Sequence, residues 1–284
     1  MDSRHLHDIA QVAAFAEEDL RDLVYAKELL EHPSLAARVA DAIGKPVELI
    51  QERLPEKWGE VVNQATLKAI RAALELALTT LKDPRPRISA DRFHKLLVTG
   101  SGGVGGMFGI MGLPVELPVS TTIMMRSILD IARSEGEDLR QAEAKLSCLE
   151  VFALGGPTRA DDAAEYGYFT VRATMGKAIS DAAKYIAQRG LAEEGAPAIT
   201  RVIALIASRF GMVVSQKVAG QIVVGIGAAF GAVINLLFMD HFQNMARGHF
   251  IVRRLERKYG EERVRQEYAS CTSGTGPARQ ASGG

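Results

Sequence analysis

Cysteine is nearly absent: Cys148 and Cys271 are the only two in 284 residues. One lies in an apolar run and the other in a Ser/Gly-rich tail, so no disulfide framework is expected and the usage suits a reducing cytoplasm. Net charge is absent as well. The 34 basic and 34 acidic residues cancel, so no global field gathers nucleic acid, which is not expected as a partner. Aromatic residues make up only 6%, with a single tryptophan. No segment sustains the apolar/polar alternation of a half-wet sheet, and the fold class read here is all-α. The opening MDSRHLHDIAQ has no apolar h-region, so no secretory signal is expected in it.

What the chain does have is apolar mass: 47% hydrophobic residues, 27 glycines and a mean hydropathy of +0.03 despite 24% charged residues. The apolar residues must therefore be concentrated. At this length one large domain and two small ones are both allowed. Ile9, Val12, Ala13, Ala16, Leu20, Leu23 and Val24 share one helical face, predicting an amphipathic helix to about Glu31, where His32-Pro33 ends it. A shorter helix follows Ser34 and stops at Gly44. Trp58 to Leu81, rich in Ala and Leu, predicts a long helix, broken by the two prolines of KDPRPRIS. A further helix is expected from Asp91 to Leu97. HFIVRRLERKYGEERVRQEY reads as one charged amphipathic helix with a solvated face, whose Arg-rich turn can meet lipid headgroups. The organisation expected is N-terminal amphipathic helices over 1–57, a main helical domain over 58–268 and a disordered tail over 269–284.

LLVTGSGGVGGMFG, from Leu96, contains G-x-G-x-x-G at Gly100, Gly102 and Gly105. A dinucleotide site would need a strand, that turn, a helix, a second strand and an acid about 20 residues on. Here Pro114 and Pro118 follow at once and helical spacing replaces the second strand, so no NAD site is expected. GVGGMFG is echoed by GIGAAFG at Gly225 to Gly231, and both place small residues four apart (Gly102 and Gly106, Gly105 and Gly109, Gly227 and Gly231). On a helix this makes a flat stripe for close backbone approach. The fold expected is thus a bundle with two Gly-rich hydrophobic segments at its centre and amphipathic helices around them. Such a stripe packs within a chain or between chains, so oligomeric state stays open.

Val218 to Met239 is free of charge and long enough for a span of about 20 apolar residues. Gln221 and Asn235 interrupt it, and a helix apolar all round also suits a bundle core. The reading favoured is a buried helix that can engage a bilayer surface; were it to span, Arg247, Arg253, Arg254, Arg257 and Lys258 would place its C-terminal flank in the cytoplasm.

GIMGLPVELPVSTTIMMRSILDIARSEGEDL, LSCLEVFALGG, YGYFTVR, RFGMVVSQKVAGQ and GAAFGAVINLLFMDHFQNMARGHFIVRRLERKYG, in this order and spacing, resemble the EcsC family over roughly Trp58 to Tyr268. The family is bacterial and named for a protein encoded beside an ABC transporter. The resemblance implies an accessory protein at the cytoplasmic face of the inner membrane, peripheral or integral, and supplies no chemical activity. One departure is the family's P-x-D-L-P, which here is PVELP with Glu116: the charge is kept and its reach lengthened.

These motifs place polar groups in apolar surroundings: Glu116 between two prolines, Glu150 in CLEVFAL, Asn235 in AVINLLF and Lys217 against the longest apolar run. A buried charge costs several kcal/mol unless it is paired or its pKa shifts. Glu116 or Glu150 is therefore expected to pair with Lys217, Arg172 or His249, with Asn235 and Tyr168 as hydrogen-bonding neighbours. One reading is a structural ion-pair network. The other is an active site, in which Glu116, Glu150 and His249 serve acid–base or metal-assisted, peptidase-like hydrolysis and Lys217 or Arg172 stabilises developing negative charge. Candidate metal ligands are Glu116, Glu150, Asp240 and His249. There is no H-E-x-x-H, and Ser215 and Lys217 fall on nearly opposite sides of a helix, which argues against a local dyad. His241 and His249 are expected as surface and capping residues, His5 and His7 as frayed-end residues, and Cys148 as core. The function expected is a membrane-associated accessory protein that binds a membrane protein or lipid, with a hydrolase as the alternative.

Overall fold

The computed structural model describes residues 15–31, 35–43, 56–79, 112–156, 164–189, 196–223 and 228–271. Among these residues the regular structure is entirely helical. The helices are α1 (Glu17–Glu31), α2 (Leu35–Ile43), α3 (Glu56–Thr79), α4 (Leu113–Ser134), α5 (Ala142–Glu150), α6 (Ala164–Arg189), α7 (Pro197–Val223), α8 (Ala228–Tyr259) and α9 (Glu261–Ser270), with a 3-10 turn at Val151–Ala153 after α5. The helix expected from Asp91, His5, His7, the glycine motif at Gly100 to Gly109 and the tail beyond 271 lie outside the described residues.

The broadest contact is between α3 and α4. α3 also packs on α7 and α5, and along it Ala65, Ala69, Ala73 and Ala77 recur every fourth residue and are all buried. Four-spaced methyls form a shallow ridge that lets a neighbouring helix approach closely. α7 packs on α3, α2 and α6, and α8 carries α1 and α4. The helices of 17–43 thus share one core with those beyond 56. At the α1–α8 crossing Gly248 has no room for a side chain: a Cβ there would stand 2.7 Å from Leu30 Cγ and 3.0 Å from the Ala26 carbonyl oxygen.

Cross-links fix the direction of α4 and α8. Glu116 meets Asn235, Ser127 meets Gln243, Glu137 meets Arg253 and Glu135 meets Arg254, at sequence offsets of 119, 116, 116 and 119. A near-constant offset means that the two helices run parallel and in register. α7 runs the other way: Phe210 packs on Phe242 and Phe238, whereas Lys217 packs on Phe238 and reaches the level of Asn235.

Three expectations are corrected. Pro114 and Pro118 do not stop a helix; α4 starts at Leu113 with Pro114 in its first turn and Pro118 inside. The missing donor of Pro114 would have been unpaired there anyway, and Pro118 removes one ladder bond close to the helix start. HFIVRRLERKYGEERVRQEY is two helices, because Gly260 between them takes φ +89°, a left-handed conformation that ends α8. Val218 to Met239 is not one helix: its two ends belong to α7 and α8. Residues 217 and 235 would lie about 27 Å apart on a continuous helix, yet both side chains bond Glu116.

Candidate functional site

Two buried polar centres face α8, one near each end. The first gathers Glu116 from the opening turn of α4, Lys217 from α7 and Asn235 from α8. Lys217 Nζ donates to both carboxylate oxygens of Glu116, at 2.9 and 3.0 Å. Asn235 Nδ2 donates to Oε1 at 3.2 Å. Lys217 also lies 4.7 Å from the centre of the Phe238 ring, a favourable seat for a desolvated ammonium. Lys217 and Asn235 are fully buried, and the Glu116 side chain is 8% exposed. Asn235 Oδ1 has no hydrogen-bond partner among the described residues. The charges of this centre cancel, and it ties three helices together.

The second centre gathers Glu150 from the end of α5, Tyr168 and Arg172 from α6, and His249 and Glu256 from α8. Arg172 binds Glu256 through both terminal nitrogens, at 2.6 and 2.9 Å, and its Nη1 also donates to the Tyr168 hydroxyl oxygen at 3.3 Å. The Tyr168 hydroxyl lies 3.0 Å from His249 Nδ1. With the tyrosine oxygen accepting from arginine, its proton goes to Nδ1, which assigns the neutral imidazole's own hydrogen to Nε2. That nitrogen is buried, has no hydrogen-bond partner among the described residues and points at Glu150 Oε2, 3.9 Å away.

Burial governs the proton affinities here. It raises the Glu150 carboxyl to about 7, with Arg172 and Arg253 pulling it back and Glu256 pushing it further. It holds His249 well below the usual imidazole range, helped by Arg172 and Arg253, and raises the Tyr168 phenol. The pair therefore holds its proton on the acid when the same side chains in water would hold it on the base.

Glu116, Glu150 and His249 are not brought together. Glu116 sits at the level of Asn235 and Glu150 at that of His249, which places the two carboxylates about 21 Å apart along α8. Between them Phe152, Phe210, Phe238 and Phe242 pack edge to face or tilted, with ring centres 5.1–5.9 Å apart. Asp240 joins neither centre; it accepts from Arg38 of α2 at 2.5 Å. No three His, Cys, Asp or Glu side chains among the described residues are grouped to hold a metal ion. Ser215 donates to the Gly211 carbonyl of its own helix at 2.8 Å, away from Lys217.

Both histidines of α8 are buried, contrary to the surface and capping places expected for them. His241 packs against Gly155, where a Cβ would come within 2.6 Å of its Nε2, and burial depresses its pKa to about 4. The sequence reading missed Glu137, which binds Arg253 and Arg257, and Lys27, whose buried ammonium caps α9 by donating to the carbonyls of Tyr268 and Cys271 at 3.0 and 2.8 Å. It also missed Asp19, held below the usual carboxylate range by hydrogen bonds from Lys258 and Tyr259. The arginine run of α8 was the available signal for the acidic partners. Nothing in the sequence around Lys27 marks it.

No curated protein and no solved structure matches the chain. The model of the EcsC protein family matches residues 17–255, beginning well before Trp58 and taking in α1 to α7 and most of α8. Its span includes the first polar centre and all of the second but Glu256, and the chain belongs to the EcsC protein family.

Proposed function

We propose that the protein is a membrane-associated binding protein rather than an enzyme with one acid–base centre. The observation that carries this reading is the segregation of charge along the bundle. At one end α4 begins, α7 finishes and α8 begins. The described helix ends there carry no charge from Leu113 to Val115, from Val218 to Val223 or from Ala228 to Met239. Between and beside these runs stand Glu116 and Lys217, which neutralise each other. At the opposite end α8 carries Arg253, Arg254, Arg257 and Lys258, bound to Glu135, Glu137, Asp22 and Asp19. A water-soluble protein gains nothing by clearing one end of charge, whereas a bilayer interface demands it.

Helix α7 adds support. Pro197–Ala219 is long and apolar enough to cross a membrane by length and composition, with a mean hydropathy of 1.6 over a window of which 44% is buried. The same test is passed by core helices of soluble proteins, so charge segregation and not this helix bears the weight. A hydrolase would need Glu116, Glu150 and His249 at one substrate, and the aromatic cluster stands between them. The test is flotation of the purified full chain with vesicles of phosphatidylethanolamine and phosphatidylglycerol in equal parts. Co-flotation that survives high salt is expected, since an apolar contact is not screened. A protein that stays wholly in the aqueous fraction would overturn the reading.

A further inference from the structure

We propose that the end of the bundle formed by the start of α4 and the start of α8 is the face that enters the bilayer, its occupant being the acyl chains just below the headgroups. This rests on the membrane reading above and adds which surface makes the contact and how deep it goes. Seven large hydrophobic side chains are exposed among the described residues, and four of them stand at this end: Val115 and Val119 on α4, Val233 and Leu236 on α8. Val115 is 70% exposed. Each pair is spaced as neighbours on one helical face, so both helices turn an apolar stripe outward.

The buried triad explains how such a face can leave water. Of the charged groups on the first two turns of α4, the last two turns of α7 and the first three of α8, Glu116 and Lys217 are the only ones. They are bonded to each other and to Asn235. No exposed charge on these turns has to be dragged into hydrocarbon, and the neutral pair pins α4, α7 and α8 so that the stripes move as one body. Because α4 and α8 run parallel and both begin here, Val115 lies about 6 Å nearer the tip than Val119, and Val233 about 4.5 Å nearer than Leu236. An interfacial insertion of about 5–10 Å covers that range.

The face could instead be covered by another part of this chain or by a second copy, and the experiment separates these. A cysteine carrying an environment-sensitive fluorophore is placed in turn at Val115, Val119, Val233 and Leu236, and at Leu20 on α1 as a control, the native Cys148 and Cys271 being buried. Each labelled full-length protein is mixed with the vesicles named above, containing lipids spin-labelled at shallow or deep acyl positions. The expected result is quenching at the four sites and none at Leu20, with Val115 and Val233 quenched by the deeper label more than Val119 and Leu236. Val115→Asp and Val119→Asp, at side chains 70% and 47% exposed, should retain helical circular dichroism and bind the vesicles about tenfold more weakly each. Vesicle-bound protein quenched at Leu20 and not at the four sites would overturn this face while leaving membrane association intact. Absence of binding to the vesicles would overturn the membrane reading itself. A fluorophore at Val115 already shielded from aqueous quencher without lipid would also overturn the inference, assigning the face to the chain itself, or to a second copy if the shielding rises with protein concentration.

Discussion

Glu150→Gln should be worth nothing at low pH and a great deal at high pH. Folded Glu150 titrates near 7 against an ordinary value of 4.5, so between these values the folded chain holds a proton that the unfolded chain has released. Stability from this group is therefore full below about pH 4.5 and lost as pH rises through 7. A displacement of roughly 2.5 units at 1.36 kcal/mol each corresponds to about 3 kcal/mol. Glutamine is a neutral isostere of the protonated acid. The variant should match wild type near pH 4 and exceed it by about 3 kcal/mol near pH 8. His249→Gln should behave oppositely. The folded imidazole stays neutral where an unfolded one takes a proton, so wild type loses stability as pH falls through 6.5, and the variant should gain on it there. Urea denaturation followed by far-ultraviolet circular dichroism at several pH values reads both differences. His241, depressed in the same direction as His249, contributes equally to all three proteins and cancels. A Glu150→Gln advantage that does not change between pH 4 and pH 8 would show that Glu150 keeps one protonation state throughout, and would refute the proton placement derived above.

Lys217→Met strands Glu116 in an apolar setting and should cost about 3–5 kcal/mol, with most of it recovered when Glu116→Leu is added; thermal melts of the two singles and the double form the cycle. Gly248→Ala forces a methyl onto Leu30 and the Ala26 carbonyl and should lower stability by about 1–3 kcal/mol, read as a shifted urea midpoint. Lys27→Met removes the donor to Tyr268 and Cys271. Amide hydrogen exchange in α9 should then accelerate while that in α3 and α4 does not.

Much of the helical plan was legible because three- and four-residue spacing is local information. Trp58 to Leu81 was read within two residues of Glu56–Thr79, and Leu35–Ile43 falls where the segment between Ser34 and Gly44 was expected. What failed was punctuation. Prolines in PVELP read as a barrier, since sequence does not show how near a helix start they stand, and Gly260 read as an interior residue because its φ is invisible in one dimension. The polar candidates were legible as misfits, charges in apolar text. Their grouping was not: Glu116 and Glu150 look alike in sequence, and only the packing of α4 and α5 around α8 sends one to the level of Asn235 and the other to that of His249. The depth of His241 and His249 was hidden for a related reason. Their neighbours on α8 are apolar on several sides, and burial there is decided by α1, α2 and the turn after α5.

Two cross-links join α4 to α8, at residues 116 and 127 on one and 235 and 243 on the other, and two more reach α8 at Arg253 and Arg254 from Glu137 and Glu135, in the turn that closes α4. Two rods clamped at several points along their length cannot slide past one another without releasing every clamp together. Shearing by a single helical turn would unseat a lysine-bound carboxylate, a buried amide and two arginine pairs in the same step. These links oppose sliding along the long axis, which joins the tip that carries Val115 and Val233 to the arginines about 30 Å away. On the membrane reading proposed above, seating of the tip would be coupled to the arginine end through the helices themselves, with no change of fold in between.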